Sequence, residues 1–161
     1  MPAVIHGGAG PVAEAGVQAA EQILGVRFPP DYRAFLLSLN GGRPQPEGFK
    51  IEWAPGQACG EDWRTTAMSW FYCITEERIG NLVRSNRVTF EGRLPRGTLT
   101  IGPDAFGNQL LLAFDGPYAG KVLLWIKDHE ASDGETPGYD NVGFVADSFA
   151  DFIQNRLTDK P

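Results

Sequence analysis

Acidic side chains are the densest group of potentially reactive residues in this sequence. Between residues 127 and 151 the chain carries seven carboxylates and only one lysine, Lys127. The seven are Asp128, Glu130, Asp133, Glu135, Asp140, Asp147 and Asp151. Such a run can attract a basic partner, because complementary charge accelerates association. Two other interpretations remain open, a solvated loop and a cation site, although the spacing does not match that of an EF-hand loop.

A second candidate contact lies at Glu61, Asp62 and Trp63, within the irregular segment 54–65, which we expect to be a surface loop. A tryptophan exposed among charges is typical of the energetic centre of a protein interface. The alternative is a tryptophan that folds back over the edge of a sheet. The partner-binding residues predicted from the sequence are Glu61, Asp62, Trp63, Asp128, Glu130, Asp133, Glu135 and Asp140.

Residue patterns of known catalytic and cofactor sites are missing from the sequence. His6 and His129 have no serine or cysteine partner at a recognisable spacing, which leaves nucleophilic triads unsupported. The sequence contains no phosphate-binding glycine loop and no zinc-binding spacing. Cys59 and Cys73 are too few for a disulfide framework. We therefore expect no catalytic residues, no cofactor and no bound metal.

The overall charge and the basic residues bear on the choice of partner. The formal net charge is −6, whereas a nucleic-acid-binding domain is usually basic. Arg84, Arg87, Arg93 and Arg96 form a local cluster that we expect to be solvated or paired with the acidic run. We predict a protein partner and neither a nucleic acid nor a membrane, because no apolar stretch approaches the ~20 residues of a membrane span. With no recognisable signal peptide, the expected location is cytoplasmic.

One segment gives the clearest prediction of local structure. Pro30 suits the first turn of a helix, and an apolar stripe follows at Tyr32, Phe35, Leu36 and Leu39. Asn40-Gly41-Gly42 then ends the helix, since glycine adopts the left-handed conformation without a Cβ clash. The sequence therefore predicts a helix that begins at Pro30 and ends at Leu39.

The remaining pattern is that of an α+β fold, a twisted antiparallel sheet with helices packed on one side. We expect a helix over 11–24, a strand over 49–53, a buried central strand over 68–74, a helix capped by Thr75, and a last helix capped by Asp147. Short strands are expected over 98–101, 109–114, 121–126 and 141–145, joined by turns as in a meander. Residues 1–10 are predicted to be a flexible glycine-rich arm, 11–157 a single domain, and 158–161 a tail.

Several of these segments resemble, in order, the motifs of the SUKH superfamily, and in particular its Smi/Knr-type family. The motifs are Leu24-Gly25, Phe28-Pro29-Pro30-Asp31-Tyr32, Phe35 to Gly42, Ile101 to Asp104 with Gly107 to Leu110, Gly120 to Trp125, and Val145 to Ile153. Together they span roughly residues 12–157. One departure is Gly102, where members of the family more often have alanine.

The resemblance implies a function as well as a fold. The family includes bacterial immunity proteins and fungal regulators of cell-wall synthesis, so it implies a non-catalytic protein that binds and neutralises a toxin, possibly a nuclease. The alternative hypothesis is a regulatory scaffold in cell-envelope or signalling assemblies. The oligomeric state is not predicted.

Overall fold

The computed structural model describes residues 2–161, and Met1, the first residue of the predicted arm, lies outside it. The helices are α1 (Glu14–Leu24), α2 (Pro30–Ser38), α3 (Leu82–Arg84) and α4 (Phe149–Asp151). Both α3 and α4 continue into one wider π-helical turn, Ser85–Thr89 and Phe152–Arg156. Short 3₁₀ turns occur at Ala58–Gly60 and Lys127–His129.

The strands form three antiparallel groups. They are β1 (Val4–His6), β2 (Arg43–Gln45), β3 (Gly48–Lys50), β4 (Thr65–Ala67), β5 (Thr98–Pro103), β6 (Gln109–Ala113), β7 (Val122–Trp125) and β8 (Val142–Ala146). β1 pairs with β2 and β3 pairs with β4, while β5 to β8 form a four-stranded sheet in sequence order. This is the predicted meander, and the predicted α+β class is confirmed.

Alternate residues of the four-stranded sheet point into two apolar clusters of unequal size. Leu110, Leu112 and Leu124 join the main core, to which α1, α2, α4 and the turn after α4 contribute Val17, Ala20, Tyr32, Phe35, Leu36, Phe149 and Phe152. The opposite, outer face carries a smaller cluster of Leu111, Leu123, Trp125 and Val142, covered by Phe90, Leu94, Tyr139 and Phe144. The helices of the main core therefore pack on one side of the sheet, as expected.

The Asn-Gly-Gly segment after α2 connects this helix to residues 71–74. Asn40 is left-handed, with φ 54°, and its side chain donates to the Ile74 carbonyl (2.8 Å) and accepts from the Ile74 N–H (2.7 Å). A Cβ at Gly41 would lie 2.9 Å from the Cys73 Cβ, and its φ is +93°. The segment therefore does more than end the helix, because it also fixes a second stretch of chain against it.

Residues 68–74 differ from the predicted central strand. They make only isolated bridges, of Met68 with Asp104, Phe71 with Gly42, and Cys73 with Asn81. The apolar character of this segment reflects burial of Met68, Phe71 and Tyr72 in the main core. The sequence thus predicted burial correctly and strand geometry incorrectly.

Two predicted helix caps were also misplaced. α3 is capped by the Asn81 side chain, which accepts from the Arg84 N–H, rather than by Thr75. Ile79, expected to face inward, is 84% exposed. At α4 the capping side chain is Ser148, which accepts from the Asp151 N–H.

The two ends of the chain are attached to the domain. The prediction of a flexible arm is wrong for Val4–His6, because this segment pairs in register with Arg43–Gln45. The buried Ala3 adds a hydrogen bond from its N–H to the Ile153 carbonyl (2.9 Å). At the other end, Thr158 exchanges two backbone hydrogen bonds with Gly48. The domain boundaries themselves stay a prediction.

Other groups occupy the two outer edges of the four-stranded sheet. Along β5, the Asn86 side-chain amide bonds to both the N–H and the carbonyl of Thr100, and the Tyr72 N–H donates to the Ile101 carbonyl. Along β8, Glu52 and Phe144 exchange two backbone hydrogen bonds. The Gln57 side chain donates to the Val142 carbonyl on the same edge.

Candidate protein-binding surface

Three connecting segments, 54–64, 104–108 and 127–141, lie together and are called here the loop end. The turn between β5 and β6 and the loop between β7 and β8 leave the same end of the sheet, because successive strands run antiparallel. The Lys127 N–H donates to the Asn108 side chain (3.1 Å), which joins these two connections. The Gln57 amide donates to the backbone oxygens of Tyr139 (3.1 Å) and Asp140 (3.3 Å).

The structure therefore brings the two predicted contact regions into one neighbourhood. The segment that contains Glu61, Asp62 and Trp63 packs beside the loop that contains the predicted acidic residues. These regions are more than 60 positions apart in the sequence. The sequence could not predict this contact. Gln57 makes it with backbone carbonyls, which every residue type has.

The seven carboxylates of the acidic run divide into two groups. Glu130 pairs with Arg93, while Asp147 and Asp151 pair with Arg156. In the part of the chain that the structure describes, no ion-pair partner lies within 4.0 Å of the other four, which are Asp128, Asp133, Glu135 and Asp140. These four are exposed. The uncompensated charge therefore lies in the β7–β8 loop, and the end of the run belongs to the α4 region.

The Arg93–Glu130 pair, called here the latch, holds the β7–β8 loop over the outer face of the sheet. Two guanidinium nitrogens of Arg93 donate to the two carboxylate oxygens of Glu130 at 3.0 and 2.9 Å. The Arg93 guanidinium carbon also lies 4.9 Å from the Phe90 ring centre and 5.6 Å from that of Trp125. The hydrogen bonds to Glu130 raise the pKa of Arg93 above its ordinary value. The expected pairing between the arginine cluster and the acidic run thus occurs at Arg93.

Trp63 is neither the fully exposed interface residue nor the tryptophan folded over a sheet edge that the sequence suggested as alternatives. It is half-buried, and its backbone carbonyl accepts the Trp53 indole N–H at 2.6 Å. Its ring meets Phe106 edge-to-face, with centroids 5.3 Å apart and planes at 77°. Phe106 is the more accessible member of the pair, at 61% exposed.

Sequence reasoning missed Phe106 as a candidate contact residue. It lies in the β5–β6 turn, where Asp104 is nearly fully buried and accepts hydrogen bonds from the Phe106 and Asn108 N–H groups (2.9 and 2.8 Å). The Thr66 hydroxyl (2.8 Å) and the Asn108 side chain (3.0 Å) also donate to this carboxylate. The available signal was a large apolar residue in a turn otherwise made of Asp, Ala, Gly and Asn.

Of the histidines and cysteines, only His129 is an exposed part of the loop end, while the thiols are hindered by burial. His6 and His129 are exposed. Burial raises the pKa of the Cys59 thiol, and burial followed by the charge of Glu77 raises that of Cys73, so both thiols stay protonated near neutral pH. Over residues 2–161, no three His, Cys, Asp or Glu side chains converge as a metal site requires.

Comparison with known proteins places this architecture in a family. The profile of the SMI1 / KNR4 family (SUKH-1) matches residues 11–155. The chain belongs to the SMI1 / KNR4 family. It is also 27% identical over 152 residues to the SPbeta prophage-derived uncharacterized protein YokK of Bacillus subtilis (strain 168), an alignment that covers 88% of this chain and 72% of YokK.

The SMI1 / KNR4 family includes immunity proteins, and its members often bind partner proteins. The family resemblance seen in the sequence is therefore confirmed. None of the helices within residues 2–161 combines the length and the apolarity needed to span a membrane.

Proposed function

We propose that this protein is an immunity protein that neutralises a toxin by direct binding, without catalysing a reaction. Its place of action is the cytoplasm of the producing cell. The supporting observation is that Asp128, Asp133, Glu135 and Asp140 are exposed on one loop and form no ion pair with any of residues 2–161. The match to a family that includes immunity proteins agrees with this interpretation.

The electrostatics favour a basic partner. Exposed like charges on one loop repel one another and gain a favourable interaction only when an opposite charge approaches. A toxin that acts on a nucleic acid carries a positive cleft for phosphate groups, and a surface rich in carboxylates can occupy such a cleft. Inhibition would then follow from exclusion of the substrate.

The partner can be identified by purifying the tagged full-length protein from the cells that produce it. Each protein recovered with it is then expressed alone to test whether it stops growth. We expect a basic protein that is toxic alone and harmless when this chain is co-expressed. Recovery of a stable, non-toxic assembly would instead support the alternative of a regulatory scaffold.

The loop variant D128N/D133N/E135Q/D140N tests the role of the uncompensated charges. We expect the association rate with the purified toxin to fall at least tenfold, because these charges steer the encounter. The same rate for the wild-type protein should fall as salt rises, since exposed charges are screened over ~10 Å at 0.1 M. Stability should change by less than about 0.5 kcal/mol, because the four side chains are exposed.

A matched control carries the same charge change elsewhere on the surface. The variant E76Q/E77Q/D115N/D159N also removes four exposed carboxylates, none of them in the loop end. Its association rate should stay within about threefold of the wild-type rate, because steering depends on local field as well as on net charge. Equal losses in the two variants, or association insensitive to salt, would contradict a role for the loop.

A further inference from the structure

Phe106 is a large apolar side chain held in solvent by a turn with little conformational freedom. The Asp104 carboxylate at the base of the turn accepts four hydrogen bonds, two of them from the backbone N–H groups of Phe106 and Asn108. The Ala105 N–H donates to the Ala67 carbonyl (2.9 Å). Both flanks of Phe106 are therefore fixed, although the side chain itself is 61% exposed.

One side of the Phe106 ring packs against Trp63. Trp63 meets it edge-to-face at 5.3 Å, and the hydrogen bond from the Trp53 indole to the Trp63 carbonyl (2.6 Å) fixes the Trp63 backbone. The Trp53 ring in turn packs against Gly60, where an added Cβ would lie 3.2 Å from the Trp53 Cβ. Phe106 is thus the exposed member of an aromatic pair whose inner member, Trp63, is held at its backbone by Trp53.

A side chain positioned in this way is suited to binding. Association normally costs free energy to order the side chains of the interface. That cost is small for a ring whose backbone and one face are already fixed. Aromatic residues that enter pockets on the partner contribute much of the binding energy in protein interfaces.

The charges around Phe106 and Trp63 indicate what kind of partner fits. Glu61 and Asp62 directly precede Trp63, are exposed and have no ion-pair partner among residues 2–161. On the other side, the Lys127 ammonium lies near Gly107, 3.1 Å from where a Cβ would be, and the unpaired Asp128 follows it. Lys127 and Arg64 offset part of this charge. Because three carboxylates face two basic side chains, the surface around Phe106 stays net negative.

We propose that Phe106, supported by Trp63, is the apolar anchor through which this protein binds a basic partner protein. The partner offers an apolar pocket bordered by lysine or arginine side chains, which receives the ring and meets Glu61, Asp62 and Asp128. This inference deepens the proposed function and rests on it, because it specifies where on the loop end the toxin makes its central contact.

Site-specific photo-cross-linking in the producing cells tests the contact directly. The substitution Phe106→p-benzoylphenylalanine is compared with the same substitution at Ile79, an apolar residue that is 84% exposed and lines a different part of the surface, with Gly7 and Arg43. We expect a single cross-linked product from position 106, containing a basic protein, and none from position 79. No product at position 106, or the same product at both, overturns the proposal.

The second measurement uses the partner protein identified by cross-linking, purified without the cross-link. Its dissociation constant is measured with this protein and with the variants. Phe106→Ala should raise it by about 30-fold, as expected for a central anchor, whereas Ile79→Ala should change it less than about threefold. Phe106→Leu should restore part of the affinity, because it keeps apolar volume in the same place. An unchanged dissociation constant in Phe106→Ala, with thermal unfolding like that of the wild type, also overturns the proposal.

The two proposals fail in different ways. If the toxin is neutralised and the loop variant weakens its binding, but Phe106→Ala does not, the immunity function stands and the anchor is wrong. If position 106 cross-links to a basic protein that is not toxic alone, and Phe106→Ala weakens that complex, the anchor stands and the immunity function is wrong.

Discussion

The inner and outer faces of the four-stranded sheet are built in different ways. The inner face carries the main core, where aromatic rings from α2 and α4 pack at close distances, such as Tyr32 and Phe149 with centroids 5.1 Å apart. The outer face is covered by a few side chains and by a loop fixed at the latch. The larger apolar cluster thus lies on one face, which leaves the loop of the other face able to carry repelling charges.

The largest expected effect concerns Gly102, on β5. A Cβ there would overlap the Trp70 carbonyl oxygen and the Met68 methyl group, so Gly102→Ala should lower stability by about 3 kcal/mol. Chemical denaturation of both proteins measures the difference. Gly138→Ala is the matched control, because no atom of the described residues 2–161 outside its chain neighbours lies within 4 Å of its Cβ position. A loss at Gly102 no larger than at Gly138 would mean that the inner face tolerates expansion.

The second prediction concerns Asn40, which joins α2 to residues 71–74. Asn40→Ala removes both hydrogen bonds to Ile74 and places alanine at φ 54°, and should cost about 2 kcal/mol in the free energy of unfolding. Asn40→Gly separates the two causes, because glycine accepts this φ. If Asn40→Gly is as stable as the wild type, the hydrogen bonds contribute nothing and the conformation alone matters.

The third prediction addresses the outer face. A double-mutant cycle with Arg93→Met and Glu130→Gln should give a coupling free energy of about 1 kcal/mol, because the pair is bidentate but partly exposed. Hydrogen exchange of amides in 130–140 should accelerate in either single variant, while exchange in β6 stays unchanged. Acceleration in β6 would show that the two faces unfold together.

The smallest expected effect is a dependence on pH at α4. Hydrogen bonding to Asn155, the Asp147 N–H and Arg156 lowers the pKa of Asp151 below its ordinary 3.8. The ionised form is therefore favoured in the folded state. Its stabilisation is complete above the unfolded pKa and is lost as pH falls through the lower folded value.

Asp151→Asn should thus cost less than about 1 kcal/mol at pH 7, and the difference from the wild type should vanish below the folded pKa. A denaturation series that descends from pH 7 into the acid range measures it, and the difference should shrink as pH falls. The exposed Asp159, changed to Asn, serves as the control. A constant difference across this range would assign the effect to helix capping rather than to charge.

Sequence reasoning reached the fold because the decisive signals are local. Helix α2 follows from Pro30, its apolar stripe and the Asn-Gly-Gly stop, and the meander follows from short apolar runs between turns. It failed where burial occurs without regular pairing, since the apolar run 68–74 satisfies its backbone through single bridges. Ile79 was misplaced because the helical period was extended into a turn.

The candidate site was predictable only in part. Composition located the acidic residues. Which of them are paired (Glu130, Asp147 and Asp151) depends on arginines and a lysine that folding brings close. Phe106 escaped notice because its exposure depends on hydrogen bonds from Thr66 and Asn108 to the Asp104 carboxylate. Members of the family more often have alanine at the position of Gly102. Here a Cβ would overlap the carbonyl oxygen of Trp70, which is 32 positions away in the sequence.

The two carboxamide side chains at the margins of the sheet, Asn86 and Gln57, have a consequence for recognition. Each fills backbone hydrogen-bonding positions that another strand would need, on β5 and β8 respectively. At these positions another polypeptide therefore cannot add a strand to the edge of the four-stranded sheet, the binding mode that many peptide-binding domains use. A bound protein would meet side chains there rather than free backbone groups.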